Sequence, residues 1–287
     1  MDSITLRSPA KINFCLSVLG RRADGYHDVE MLMQMVDLYD DVTVALRGAG
    51  IDVTCDKDAV PSDERNVAWK AAKLMLEGSR STKGLAISIR KRIPVAAGLA
   101  GGSGNAAAVL VAANRLLNAG FGTERLMELG TRIGMDVPFF FSGPTALATG
   151  RGEIITPLPP PNAFHVLLVN PGFETSTAWA YQNANLRLTK RVECTRIARL
   201  TVSKIAASLH NDLEAVTAAA HPVIREIKDA LLMQGAIGAC MSGSGPTVFG
   251  VFKSETACEL AKAGLEGRGW LLYPVKTLVA SPLRGEG

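Results

Sequence analysis

The chain lacks most features that would assign it to a membrane, a metal or a nucleic acid. Its longest apolar run, Ala106 to Ala113, is far short of the ~20 residues a spanning helix needs. The opening Met-Asp-Ser-Ile-Thr-Leu shows no charged segment followed by a long apolar one, so the expected location is the cytoplasm. Cysteine is scarce: Cys15, Cys55, Cys194, Cys240 and Cys258 are odd in number, widely spaced and without a C-x-x-C pair, which indicates neither a disulfide framework nor a zinc site. Most of them read as buried thiols. The four histidines show no H-E-x-x-H or similar ligand spacing. Net charge is only +4, and the basic residues are dispersed apart from a stretch between Arg187 and Arg199. No aromatic residues interleave there, so it reads as solvated surface and not as a nucleic-acid site. Anionic small molecules remain compatible. At 287 residues, 47% hydrophobic and 20% charged, the chain is long enough for two globular domains.

What is present is concentrated between Ile93 and Asn118. Before it, Leu85, Ile87, Ile89, Lys91 and Ile93 alternate with Ala86, Ser88, Arg90 and Arg92, the period of a half-buried strand. After it, Val109, Ala112, Ala113, Leu116 and Leu117 recur at helical spacing, and Asn118-Ala119-Gly120 supplies a stop. Between the two, Gly98, Gly101, Gly102 and Gly104 free the backbone for positive φ and for close approach of N–H groups to a ligand. A helix starting near Ser103 or Asn105, either one a plausible N-cap, would point its positive end into that loop, a geometry that holds phosphate. There is no G-x-x-x-x-G-K-[ST]. Gly102 to Ala107 fits G-x-G-x-x-A, but another helix follows where a dinucleotide fold needs a second strand ending in an acidic residue.

Elsewhere the pattern predicts strands at 2–7 and 11–19, separated by Pro9. In the second, Ile12, Phe14, Leu16 and Val18 face one side and Lys11, Asn13, Cys15 and Ser17 the other. A polar loop, Gly20 to His27, leads into an apolar stretch through Met35. Strands at 42–47 and 51–55 are joined by Gly48-Ala49-Gly50, and helices follow at 66–77 (Asn66 as N-cap), 105–118 and 123–133, then a strand at 145–149. Pro157 to Pro161 is the one proline cluster and reads as a domain boundary or as a surface loop within one domain. The remainder reads as strands at 164–169, 236–241, 247–252 and 270–279 and helices at 175–186, 196–208, 222–234 and 255–265. Together they make an α+β chain with units at 1–158 and 159–287.

If the central loop holds a nucleoside triphosphate, transfer needs a cation near the moving phosphoryl group and a group to orient or deprotonate the acceptor hydroxyl. Lys11, interrupting an apolar strand, is either that cation or an edge-strand charge. Asp136, before Val137-Pro138 and three phenylalanines, is either a turn or N-cap residue or the carboxylate. Ser242-Gly243-Ser244-Gly245 is either a second anion nest or a hairpin connection.

Taken in order, Ser8-Pro9-Ala10-Lys11-Ile12-Asn13, Gly20 through His27, Pro94 through Ala107, Gly134 through Pro138 and Ser242 through Gly245 resemble the motifs of the GHMP small-molecule kinases. The resemblance spans nearly the whole chain. It implies a two-domain α+β GHMP kinase fold, with an N-terminal ATP-binding domain like that of ribosomal protein S5 and a ferredoxin-like α/β sandwich as C-terminal domain. It further implies MgATP on Pro94, Ala96, Gly98, Leu99, Ala100, Gly101, Gly102, Ser103, Gly104 and Asn105, with Ser103 near Mg²⁺. Asp136 would deprotonate the acceptor hydroxyl, and Lys11 would keep Asp136 ionised. The Lys-Ile-Asn and Gly-Tyr-His pieces point to an acceptor carrying a cytidine diphosphate, held by Asn13, Tyr26, His27, Tyr181, Ser242, Gly243 and Ser244. On the same ground the chain is expected as a monomer or weak homodimer that binds neither nucleic acid nor membrane. Ala96, Ala97 and Ala100 stand where relatives often have glycine, Gly104 where they have a second serine, and Met33 where they have an aromatic. Sibling kinases acting on homoserine, mevalonate or a sugar, and a nucleotide-binding regulatory module, are the rival readings.

Overall fold

The computed structural model describes residues 2–184, 194 and 201–283. Its first sheet grows from one long hairpin: β1 (Ser3–Arg21) and β2 (His27–Arg47) run antiparallel along nearly their whole length. Because β2 is so long, its two halves take different partners. Its far half pairs with β4 (Gly84–Arg90), outside which β3 (Ile51–Cys55) lies parallel. Its near half pairs with β5 (Thr145–Thr149), which carries β6 (Ile154–Pro157). The second sheet, in the order β11-β7-β10-β9, is antiparallel throughout and comprises β7 (His165–Asn170), β9 (Gly238–Met241), β10 (Val248–Phe252) and β11 (Leu271–Lys276). The chain passes from one sheet to the other through residues 158–164, yet β8 (His210–Asn211) returns from the later half to lie parallel to β1.

Helices α1 (Val67–Ser79), α2 (Gly101–Leu116), α3 (Thr123–Thr131) and α4 (Phe139–Ser142) belong with the first sheet. Asn66 caps α1 as expected, its Oδ1 accepting from Ala68 N at 2.9 Å. Helix α2 is buried almost all round, packed between α1 and strands β1 and β2. Only a glycine- and alanine-rich segment fits so tight a slot. The second sheet carries α5 (Thr177–Asn183), α6 (Val202–Ala207), α7 (Glu214–Ala220), α8 (Val223–Met233) and α9 (Glu255–Leu265). In α8 and α9 the buried Ile224, Ile227, Leu231 and Cys258, Ala261, Leu265 fall at the three- and four-residue spacing of one helix face.

Several expectations need correction. Pro9 does not end a strand; it sits at a register shift inside β1. A second shift between Asn13 and Cys15 breaks the expected face assignment, since a one-residue slip moves every later side chain to the other face. Thus Ile12 and Phe14 pack toward the second sheet, with the Phe14 and Phe164 ring centroids 5.7 Å apart, while Leu16 and Val18 join the core of the first sheet. Residues 42–47 are not a separate strand but the end of β2, and β4 lies between them and β3. Short elements β6, β8 and α7 carry too few residues to show a period. Cys15 and Cys194 form a disulfide, with Cα atoms 5.5 Å apart, that their separation of 179 positions did not suggest. Cys240 and Cys258 are buried thiols and Cys55 is half-buried. The start of the helix expected at 196–208 and the basic stretch from Arg187 to Arg199, Cys194 apart, lie outside the described residues.

Candidate active site

Strand β4 ends at Arg90, and the three residues after it are held by Asp40 of β2. Asp40 Oδ1 accepts from Arg92 N (2.8 Å) and Ile93 N (2.9 Å), and Oδ2 pairs with Lys91 Nζ at 2.7 Å. Both charges are buried, and burial lowers the Lys91 pKa from its ordinary value although Asp40 opposes the shift. Lys91 Nζ also donates to Ile93 O at 2.6 Å. Beyond this anchor Ala96, Gly98 and Ala100 all adopt positive φ (48°, 75° and 52°). Two alanines therefore hold a conformation that costs an L-residue about 1–2 kcal/mol. Ala100 itself is the N-cap of α2, so the helix starts at Gly101, earlier than expected, and neither Ser103 nor Asn105 caps it. The first closure is Gly104 N to Ala100 O at 3.0 Å, which leaves the N–H groups of Gly101, Gly102 and Ser103 at the positive end of the helix.

The second sheet clamps this loop from above. Ser242 Oγ donates to Gly98 O at 3.0 Å, Thr247 N to Ala97 O at 3.4 Å and Thr175 N to Ala96 O at 3.3 Å. A Cβ on Gly98 would lie 2.1 Å from Ser242 O, so only glycine permits the approach. The Ser242–Gly245 segment joins antiparallel β9 to β10 and braces the loop; Gly243 and Ser244 line the cavity, whereas Ser242 is turned onto Gly98.

That cavity, about 990 Å³, brings together most of the expected residues. Pro94, Ala96, Gly98, Ala100, Gly101, Gly102, Ser103 and Asn105 form its loop side, while Leu99 and Gly104 are buried behind it. A Cβ on Gly104 would meet Ser8 Oγ at 2.6 Å and Pro9 O at 3.0 Å, so position 104 faces β1 and not the cavity. A serine there would contribute no hydroxyl to the cavity. Met33 is likewise fully buried and away from the wall, where Met31 stands instead.

Lys11 and Asp136 meet at the centre. Lys11 N donates to Leu99 O (3.0 Å), tying β1 to the loop, and Lys11 Nζ lies 2.6 Å from Asn13 Oδ1 and 3.8 Å from Asp136 Oδ2. Lys11 is buried and Asp136 about a third exposed, in the turn before α4, whose N-cap is Pro138 without a side-chain cap. Asn13 Nδ2 and Asn105 Oδ1 are buried and have no hydrogen-bond partner among the described residues. Native proteins rarely leave such atoms unmatched outside a ligand site.

At the far end the His27 and Tyr181 rings stack at 5.5 Å, and Tyr26, half exposed, lies beside them on the cavity wall. Burial, followed by the nearby Asp136 charge, pushes the Tyr181 hydroxyl well above its ordinary pKa. Burial, then Arg21, lowers the His27 pKa. On the opposite side the cavity reaches an apolar wall of Ala59, Val60, Pro61, Val67 and Ile89 that sequence reasoning missed. The segment before α1 has no periodicity, and Asn66 advertised only a cap. Among the described residues no group of three His, Cys, Asp or Glu side chains could hold a metal, and Ser103, the residue expected near Mg²⁺, lies on the cavity wall. No helix among them is long and apolar enough to cross a membrane.

The model for the N-terminal domain of GHMP kinases matches residues 66–144, and that for the GHMP C-terminal domain matches 196–268. A 4-diphosphocytidyl-2-C-methyl-D-erythritol kinase from Pelobacter propionicus is 50% identical over 97% of this chain and 100% of its own length. One from Acetivibrio thermocellus is 44% identical over the same shares. A crystal structure of 4-(cytidine 5'-diphospho)-2C-methyl-D-erythritol kinase superposes with a TM-score of 0.81 at 29% identity, covering 96% of this chain and 99% of that one. A homoserine kinase from Cytophaga hutchinsonii shares the fold at 21% identity, with a TM-score of 0.75 over 98% and 96% of the two chains.

Proposed function

Since the chain belongs to the GHMP kinases, enzymes that use ATP as phosphoryl donor, we propose that it transfers the γ-phosphoryl group to the 2-hydroxyl of 4-diphosphocytidyl-2-C-methyl-D-erythritol, a step of non-mevalonate isoprenoid synthesis. The observation that carries this reading is the single cavity with a glycine loop on one side, an aromatic end built from Tyr26, His27 and Tyr181, and a Lys–Asp pair between them. Residues 1–158 then form the ATP-binding unit and 159–287 its partner, with β8 as a strand exchanged across the boundary.

In this assignment the N–H groups of Gly101, Gly102 and Ser103 hold the donor phosphates, and the wall of Ala59 to Pro61 covers the adenine. The aromatic end takes the cytosine, whose face a ring can cover and whose edge a polar atom can read. Asp136 takes the proton from the 2-hydroxyl as that oxygen bonds to the γ-phosphorus and ADP leaves. Lys11 keeps Asp136 ionised and offsets charge on the transferring oxygens. Mg²⁺, held near Ser103, supplies neutralisation of the donor phosphates when bound. Catalysis of this kind is mostly positioning, which suits a loop fixed from both sheets. The cytoplasm, a monomer or weak homodimer, and no nucleic-acid partner complete the proposal.

ADP release with MgATP and 4-diphosphocytidyl-2-C-methyl-D-erythritol, beside homoserine and mevalonate as alternative acceptors, tests it. Turnover with the cytidyl acceptor alone is expected. Turnover with another acceptor would keep the kinase and discard the cytidine pocket, and no turnover with any of the three would favour a nucleotide-binding module.

A further inference from the structure

The mechanism above gives no role to Arg151, yet its placement is that of a built site. It lies in the turn between β5 and β6, on the cavity wall beside Tyr26 and His27. The turn is fixed on both sides: Gly150 and Gly152 have φ of 69° and 112°, Val29 N donates to Gly150 O at 2.8 Å, and Gly152 N donates to Thr149 O at 3.1 Å. A Cβ on Gly152 would lie 2.9 Å from Met31 Cε, so this turn is pressed onto β2. Glu153 then sets the side chain, accepting from Arg151 N at 2.7 Å and from Nε at 3.1 Å. The guanidinium carbon stands 5.1 Å from the centre of the Tyr26 ring. Among the described residues neither η nitrogen meets a protein acceptor. The nearby carboxylate of Asp24 is engaged by Arg22 Nε at 3.2 Å and Tyr26 N at 3.1 Å.

From this geometry, and resting on the cytidine-linked acceptor proposed above, we infer that Arg151 is a substrate-binding residue whose η nitrogens hold the diphosphate of the acceptor. With cytosine at the His27–Tyr181 end and the reacting hydroxyl at Lys11–Asp136, the diphosphate that joins them must run along the intervening wall. A planar fork with its Nε edge fixed by a carboxylate and its face on an aromatic ring presents two donors in one direction, the arrangement that suits phosphate oxygens. Because Glu153 cancels the local charge, the gain comes from aimed donors and not from a net field. It is therefore modest, about tenfold in affinity.

The test compares CDP with cytidine by titration calorimetry, with the glycine loop saturated by a non-hydrolysable ATP analogue, in wild type, Arg151→Gln and Arg151→Lys. Wild type is expected to bind CDP more tightly than cytidine. Arg151→Gln should lose about tenfold for CDP, change less than about twofold for cytidine, and keep its affinity for the ATP analogue, which confirms the fold; Arg151→Lys should recover part of the loss. Equal weakening of CDP and cytidine would mean that Arg151 only supports Tyr26, and unchanged CDP affinity would mean no contact; either overturns the inference while leaving the acceptor assignment intact. Wild type that binds neither ligand would instead overturn that assignment, and this inference with it.

Discussion

The Lys91 ammonium and the Asp40 carboxylate meet at 2.7 Å directly beneath the glycine loop, both excluded from solvent. Lys91 Nζ is also 2.9 Å from where a Cβ on Gly101 would stand, at the first residue of α2. The pair thus ties the end of β4 to β2 and sets the height of the loop above the sheet. Asp40→Asn leaves a buried charge without its partner, a loss of about 3–5 kcal/mol. Denaturant melts should show it, together with a rise in KM for ATP that exceeds any fall in kcat. Asp40→Asn combined with Lys91→Met should regain much of the stability, since the isolated charge is then gone. An unchanged melting midpoint in Asp40→Asn would show that the pair does not hold the loop.

Asp136→Asn keeps the size and polarity of the side chain and removes its ability to accept a proton. Turnover is expected to fall by about 10²–10⁴, the usual contribution of general-base catalysis, with the melting midpoint little changed because the 3.8 Å contact to Lys11 is partly solvated. Lys11→Met should also impair turnover, and the double variant should be little worse than the poorer single one, as residues acting as a unit are non-additive. Near-normal ADP release from Asp136→Asn would remove it from the role of base.

The parts of this site legible in sequence are those with a local signature. Four glycines after an alternating strand marked the loop, and Asn66 marked a helix start that its Oδ1 does cap. Lys11 and Asp136 stood out one by one, but nothing local could show that they meet. Their contact depends on the Lys11 N to Leu99 O bond and on the turn before α4. The start of α2 has no such signature, because a left-handed alanine at position 100 caps it without a capping side chain. Register shifts in β1 and the return of β8 to its edge are likewise tertiary facts. Arg151 has no local signature either, since an arginine between two glycines reads as a turn and only the fold sets it beside Tyr26.

His27 carries the expected pH dependence. Burial, then the charge of Arg21, depresses its pKa below the ordinary 6.5. Between that lowered value and 6.5 the unfolded chain holds a proton that the folded protein does not, so stability rises with pH across this window. The contribution is complete above 6.5 and is lost as pH falls through the folded value. Denaturation midpoints of wild type and His27→Gln, taken from about pH 5 to about pH 7.5, should converge toward the acid end and separate above it. Parallel curves would mean that His27 titrates alike in both states.

Gly104 offers the sharpest test of how the loop is supported. A serine at this position would place its Cβ 2.6 Å from Ser8 Oγ and 3.0 Å from Pro9 O, on the face of α2 that packs against β1. Ser8 is itself fully buried and its hydroxyl has no hydrogen-bond partner among the described residues, so here a side chain of β1 fills the space that a larger residue on α2 would take. Gly104→Ser should therefore destabilise by about 1–3 kcal/mol through overpacking, and should raise KM for ATP as the start of α2 is displaced. Adding Ser8→Ala removes the worse of the two contacts and should return part of that loss, while Pro9 O keeps the recovery incomplete. Ser103→Ala, by contrast, should leave stability nearly unchanged and reduce turnover in proportion to the need for a hydroxyl on the phosphate side. If Gly104→Ser were as stable as wild type and faster, position 104 would face the donor phosphates, and the packing of β1 on α2 would have to be redrawn.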